Sequence, residues 1–168
     1  DINNDGSTFT AVNQLQASAG RDLNLVTTTV SDSHVRKDGR TTISDSSTVV
    51  DKVAGMYVTG SGEGNTLIAQ AGRDISVTAG IIANAGVNGQ TALIAGNNLN
   101  LNTVTVASVH GEVRNADNYS KQSKTGEVGS QIMGAGNVNL QAGNDLTARA
   151  ADVQAGGALG LVAGNDIS

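Results

Sequence analysis

Short aliphatic and polar side chains alternate along this chain, and the alternation returns in the same phase around a repeated phrase. The phrase is Ala19-Gly20-Arg21-Asp22-Leu23-Asn24, and it recurs at 71–76, 95–100, 142–147 and 163–168. Five residues before the glycine stand Leu15, Leu67, Thr91, Val138 and Leu159; three before it, Ala17, Ala69, Leu93, Leu140 and Leu161. Three after it stand Leu23, Ile75, Leu99, Leu146 and Ile167; five after it, Leu25, Val77, Leu101 and Ala148. Gln, Asn, Ser and Thr fill most places between. A period of two with one apolar side predicts strands with one buried face. No stretch keeps apolar residues at i, i+3, i+4 and i+7, so no helix is expected.

Successive phrase glycines lie 52, 24, 47 and 21 residues apart, so long and short units alternate. The short spacing matches one coil of a solenoid, a coil of about 20 residues holding three short strands and three turns. Stacked coils pair strand on strand in parallel, about 4.8 Å apart. The expected class is all-β, a solenoid of about five coils in one unit over 1–168. The phrase itself supplies a turn, in which glycine is expected at positive φ and Asn or Asp bonds its own backbone. The turn column runs through Gly20 and Asp22, Gly72 and Asp74, Gly96 and Asn98, Gly143 and Asp145, and Gly164 and Asp166. Calcium-binding solenoids use a denser glycine-rich nonapeptide that this chain lacks, so the column is read as turn bonding plus Asn-type ladders, with no metal or other cofactor.

The long units carry an insertion at an equivalent place, about 26–60 and about 103–134. Both begin with strand-like runs, Thr27-Thr28-Thr29-Val30 and Thr103-Val104-Thr105-Val106, and turn candidates follow at Asp38-Gly39 and Lys124-Thr125-Gly126. Each reads as a β-hairpin arm projecting from the coils. Seven of the ten basic residues fall within these bounds, with both tyrosines and both histidines. Loops on rigid scaffolds commonly carry binding, which marks Arg36, Lys37, Arg40, Tyr57, Tyr119, Lys121 and Lys124 as candidate partner-binding residues. Solvated arms whose charges keep strand edges from pairing are the simpler alternative. His34 and His110 each lie 14 residues after a phrase glycine. Two histidines without cysteine or a matched carboxylate pattern do not define a metal site, and a shared position on an exposed strand accounts for the coincidence.

Composition narrows the reading further. The 168 residues include 22 glycines, no proline, cysteine or tryptophan, and three aromatics. A narrow coil interior filled by Leu, Ile, Val and Ala suits this mixture better than a globular core. Net charge is −5, against nucleic-acid binding as the main task. No apolar run reaches the roughly 18 residues of a helical membrane span. The chain opens at Asp1 without a signal peptide and stops mid-strand, as expected of a segment of a longer protein.

The phrase Ala-Gly-Asn-Asp-Leu, with Gly136-Asn137-Val138-Asn139-Leu140-Gln141-Ala142-Gly143 running into it, resembles the haemagglutinin repeats of large two-partner-secreted exoproteins. The stretch Asn118-Tyr119-Ser120-Lys121-Gln122-Ser123-Lys124 resembles the Ser/Lys-rich inserts between their later repeats. The resemblance implies a right-handed parallel β-helix in the extracellular stalk of a Gram-negative exoprotein. Its partners would be neighbouring coils of the parent chain, an outer-membrane secretion transporter acting on the parent, and a target-cell surface. Absence of cysteine suits export through a narrow pore. The expected role is a non-enzymatic stalk, foremost of a contact-dependent growth-inhibition protein, alternatively of a filamentous-haemagglutinin-type adhesin. A polysaccharide-active β-helix enzyme is the distant alternative, because Asp22, Asp74, Asp145 and Asp166 lack a repeated basic partner on the same face.

Overall fold

The inward positions of the repeat fall on three parallel sheets, one strand of each per coil. The computed structural model describes residues 1–168 and contains strands and turns but no helix. The first coil is β1 (Ile2–Asp5), β2 (Thr8–Ala11) and β3 (Gln14–Ala19). The second runs β4 (Leu23–Val26), a hairpin of β5 (Thr28–Asp38) and β6 (Thr41–Lys52), β7 (Gly55–Val58) and β8 (Thr66–Ala71). The third is β9 (Ile75–Thr78), β10 (Ile81–Asn84) and β11 (Gln90–Ala95). The fourth runs β12 (Leu99–Asn102), a hairpin of β13 (Val104–Asn115) and β14 (Asn118–Val128), β15 (Gln131–Gly134) and β16 (Asn137–Ala142). The fifth is β17 (Leu146–Ala148), β18 (Asp152–Ala155) and β19 (Leu159–Ala163). Stacked, these give three five-stranded sheets, β1-β4-β9-β12-β17, β2-β7-β10-β15-β18 and β3-β8-β11-β16-β19, the architecture of a parallel β-helix.

Register follows the phrase. Ile2, Leu23, Ile75, Leu99 and Leu146 stack in one column, and Ile167 bridges onto Leu146. A coil therefore precedes the first complete phrase, and Asp1-Ile2-Asn3 occupies the place of Asp22-Leu23-Asn24. Leu23, Leu25, Leu67, Ile75, Leu93, Leu99, Leu101 and Leu140 are buried, with Met56, Ile82 and Ile132 from the second sheet. Burial of each such side chain contributes about 1.5–3 kcal/mol, and a single coil has too few of them to offset its ordering entropy. Thr91 breaks the pattern. It occupies the Leu15, Leu67 and Val138 column, and its buried hydroxyl has no hydrogen-bond partner.

The arms are narrower than the sequence bounds of 26–60 and 103–134. Gly55–Val58 and Gln131–Gly134 are coil strands of the second sheet, so the excursions occupy 27–54 and 103–130 and are equal in length. The periodic phrase marks only the corner between the third and first sheets, which left β7 and β15 without a label in the sequence. The first arm turns at Gly39-Arg40 with Gly39 at φ +59°, a primed hairpin turn of two residues. The second turns at Ala116-Asp117, where the Asn115 side chain accepts the Asp117 backbone N–H at 3.1 Å. Lys124-Thr125-Gly126, expected as a turn, lies inside β14, paired with Ser108, Ala107 and Val106.

The two arms join. β6 pairs antiparallel with β13, from Thr42 opposite Val113 to Thr48 opposite Ala107, giving a fourth sheet in the order β5-β6-β13-β14. Geometry explains why arms on alternate coils meet without distortion. Two coils rise about 9.6 Å, and two strands of a hairpin occupy the same width. An armless coil between two armed ones is the spacing that lets their hairpins pair edge to edge.

Candidate functional site

The turn column builds a side-chain ladder along one corner of the stack. The residue after each phrase glycine donates down to the carboxylate or amide of the coil below. Arg21 donates to Asp1 at 2.7 and 3.0 Å, and Arg73 to Asp22 at 2.5 and 2.8 Å. Asn97 donates to Asp74 at 2.8 Å, Asn144 to Asn98 at 3.0 Å and Asn165 to Asp145 at 2.8 Å. The backbone N–H groups of Asn98, Asp145 and Asp166 bond the same acceptors at 3.0–3.2 Å. The Arg73 side-chain hydrogen bonds hold the Asp22 carboxyl below the usual carboxylate range, and Asp22 in turn raises Arg73. These side chains bond between coils, and Asn144 and Asn165 also donate to Asp145 and Asp166 of their own turns at 3.0 and 3.4 Å.

The phrase glycines also act between coils. A Cβ on Gly72, Gly96, Gly143 or Gly164 would lie 2.1–2.3 Å from the carbonyl oxygen of the phrase glycine one coil below. None of them is at positive φ, contrary to the turn expectation. Glycine is required because the stacked corner backbones approach too closely for any side chain. Asp22, Asp74, Asn98 and Asp145 thus have side-chain partners along the axis, and no group of three or more His, Asp or Glu is arranged to hold a metal ion.

Both arms are anchored by buried hydroxyls. Thr27 Oγ1 donates to the Ala79 carbonyl at 2.6 Å and accepts the Ala54 N–H at 3.1 Å. Ser130 Oγ lies 2.8 Å from the Val77 carbonyl and 2.9 Å from that of Asn102. Arg149 on the fifth coil forms an ion pair with Glu127 near the foot of β14. Neither hydroxyl was singled out by sequence, since Ser and Thr are common throughout and only the coil geometry makes these two special.

Cross-strand register sorts the arm residues onto two faces. On one, His34, Asp45, His110 and Gln122 form a row across all four strands. Beside it lie the rows Asp32-Ser47-Ser108-Lys124 and Arg36-Ile43-Glu112-Ser120. The other face carries Val35-Ser44-Gly111-Lys121 and Lys37-Thr42-Val113-Tyr119. The candidate binding residues therefore do not converge. Arg36 and Lys124 share one face, Lys37, Tyr119 and Lys121 the other, and Arg40 sits in the first hairpin turn. Tyr57 is on the coil, on the outer side of β7, where its ring packs over Gly55 and desolvation raises its phenol pKa.

The histidine row contains a side-chain ion-pair contact between the arms, beside the backbone ladder of β6 and β13. His110 Nδ1 on β13 lies 2.5 Å from Asp45 Oδ1 on β6, and His110 Nε2 lies 3.4 Å from Glu112 Oε1. Asp45, and then Glu112, raise the His110 pKa above its ordinary value. Around this row is a polar cleft of about 720 Å³, whose lining includes Asp32, Asp45, His110, Gln122 and Lys124. Such a surface offers ion pairs and hydrogen bonds to a partner. Asp45 and Glu112 were not recognised in the sequence, because their importance comes from the pairing of two arms 52 and more residues from each other's strands.

A stack of parallel coils with side-chain ladders on its corner and a pinned pair of hairpins on its flank defines a β-solenoid scaffold. The hemagglutinin repeat family model matches residues 27–168, and the chain belongs to that family. The family is structural and adhesin-like, and membership makes the chain a filamentous-haemagglutinin-like, two-partner-secreted exoprotein segment. The coil register extends the same unit back to Ile2, ahead of the matched region. No curated protein and no solved structure matches the chain.

Proposed function

We propose that this chain is a rigid stalk segment of a contact-dependent growth-inhibition exoprotein, holding distal parts of its parent away from the surface of a Gram-negative cell. The supporting observation is the additive construction of the stack. Each coil contributes one strand to each of three sheets and one rung to the Asp/Asn/Arg corner, so length grows by about 4.8 Å per coil without any change of contact type. A rod built this way transmits position. An outer-membrane secretion transporter passes the parent chain out, and stacking on neighbouring coils then stabilises each segment.

The test is replacement of this segment in the parent by a flexible Gly/Ser linker of equal residue number. A stalk role predicts loss of target-cell inhibition with secretion retained. Undiminished inhibition with the linker overturns the role. Reading the parent gene separates delivery from adhesion: a polymorphic C-terminal toxin domain with a short immunity gene downstream supports delivery. A parent without them carries an adhesin stalk instead.

A further inference from the structure

The arm sheet ends in two edges that pair on one side only, β5 and β14. We propose that β14 is the docking edge for the first strand of an arm carried two coils further along the same axis, so that arms of successive units zip into one antiparallel sheet beside the coils. The inference concerns the flank of the stack and is independent of what the parent protein delivers.

Three observations carry it. The first is the existing interface, since β6 of one arm already pairs with β13 of the arm two coils on. The second is commensurate spacing, because a two-coil rise and a two-strand hairpin both measure about 9.6 Å. An arm on the next armed coil would reach β14 as the second arm reaches β6. Direction agrees as well. Every neighbour in the sheet is antiparallel, and a strand equivalent to β5 or β13 has the polarity that β14 requires.

The third is charge. Within the first arm His34 stands opposite Asp45, and within the second His110 stands opposite Gln122, so Gln122 is the counterpart of Asp45. Asp45 receives His110 from the next arm. Carried forward, the same register sets Gln122 opposite the next arm's equivalent of His34. Two residues along, Lys124 then faces the equivalent of Asp32, and at the other end Tyr119 faces the equivalent of Lys37. Where the next arm repeats the first, as in a tandem chain, no like charges meet; in the second arm the same places hold the uncharged Ser108 and Val113. Asp32 and Lys124 are exposed and have no ion-pair partner within this chain. A separate molecule does not fit this register. Displacement by four strands is also displacement by four coils, about 19 Å, and would drive its first coil into the space of the fifth. The occupant is therefore an arm on the same continuous stack.

The test is a tandem chain, residues 1–168 followed directly by residues 25–168. Ile167-Ser168 then takes the place of Leu23-Asn24 and the coil continues in register. The chain has no cysteine, so an engineered pair is unambiguous. Lys124→Cys in the first block with Asp32→Cys in the second places Cα atoms about 5 Å apart, within disulfide range. Oxidation is expected to close an intramolecular disulfide, whereas Lys124→Cys with Ser31→Cys, one residue out of register, is expected to stay open. In the cysteine-free tandem chain, the first-block β14 amides should exchange more slowly than in the 168-residue chain, while amides of β9 and β12 are unchanged. A tandem chain whose coil amides are protected but whose β14 exchanges as in the single chain overturns the proposal. Preferential closure of the Ser31 pair also overturns it. So does concentration-dependent protection of β14 in the 168-residue chain, which would make a separate molecule the occupant.

Discussion

His110 on the second arm and Asp45 on the first hold each other at 2.5 Å, across strands whose coils are separated by a full armless coil. The groups facing His110 are Asp45 from β6, Glu112 on its own strand and Gln122 from β14, and Lys124 lies one row away. Because the folded pKa of His110 is raised, its contribution to holding the arms together is fully present below the ordinary value of 6.5. That contribution disappears as pH rises through the folded pKa. A pH titration of the His110 ring by NMR should give a midpoint above 6.5, and Asp45→Asn should bring it down. A midpoint at or below the ordinary value in the native chain would contradict the clasp. The same rise in pH should lower the protection factors of the β6 and β13 amides, corrected for intrinsic exchange, while leaving those of β9 and β12 unchanged.

Replacing Gly96 by alanine should destabilise the fold, and replacing Gly20 should not. The added carbon at 96 would stand 2.3 Å from the Gly72 carbonyl oxygen, whereas nothing lies within 4 Å of the same carbon at 20. Within the 168-residue chain no phrase corner packs beneath Gly20, and the comparison is made in that chain. Overpacking against backbone costs about 1–3 kcal/mol, and an open position costs within about 0.5 kcal/mol. Urea unfolding of the two variants measures the difference. Equal midpoints would return the explanation to turn conformation.

The contrast between those glycines shows what the sequence could reveal. Columns such as Leu23, Ile75, Leu99 and Leu146 were legible because a repeat displays the same buried position several times over. The alternation of armed and armless coils was legible for the same reason. The reason for it was not, because pairing of β6 with β13 depends on coil rise equalling hairpin width, a distance in space that leaves no mark in residue order. Tyr57 was assigned to an arm because β7 lies far from the phrase that marks the coil. Lys124-Thr125-Gly126 drew a turn reading through its glycine, while the actual turn, Asn115-Ala116-Asp117-Asn118, contains no glycine and is closed by the Asn115 side chain. The basic residues were visible individually. Their division between two faces needed the strand register.

Thr91→Val should stabilise the chain. The threonine is buried in an otherwise aliphatic column, between Leu67 and Val138, with its hydroxyl unpaired. Valine keeps the shape and removes the polar atom, which at other buried sites recovers about 1–3 kcal/mol. Thermal and urea unfolding are the measurements, and a fall in stability would mean that the hydroxyl has a partner in solution.

Thr27→Val makes the opposite case with the same pair of residue types. Thr27 is as buried as Thr91, yet its hydroxyl donates to the Ala79 carbonyl and accepts the Ala54 N–H. Ala79 belongs to the armless third coil and holds φ at 50°, so the hydroxyl ties the foot of the first arm to the turn that replaces an arm one coil above. Valine would orphan both backbone groups in a dry corner, at a cost of about 1–3 kcal/mol for each. The expected result is a lower unfolding midpoint together with faster amide exchange at Ala54. The arm sheet itself, pinned by Asp45 and His110 farther out, should keep its exchange pattern below the unfolding transition. If β5 and β6 lost protection together with Ala54, the arm would depend on its foot more than on its partner arm, and the clasp would be a consequence of coil geometry instead of a support for it.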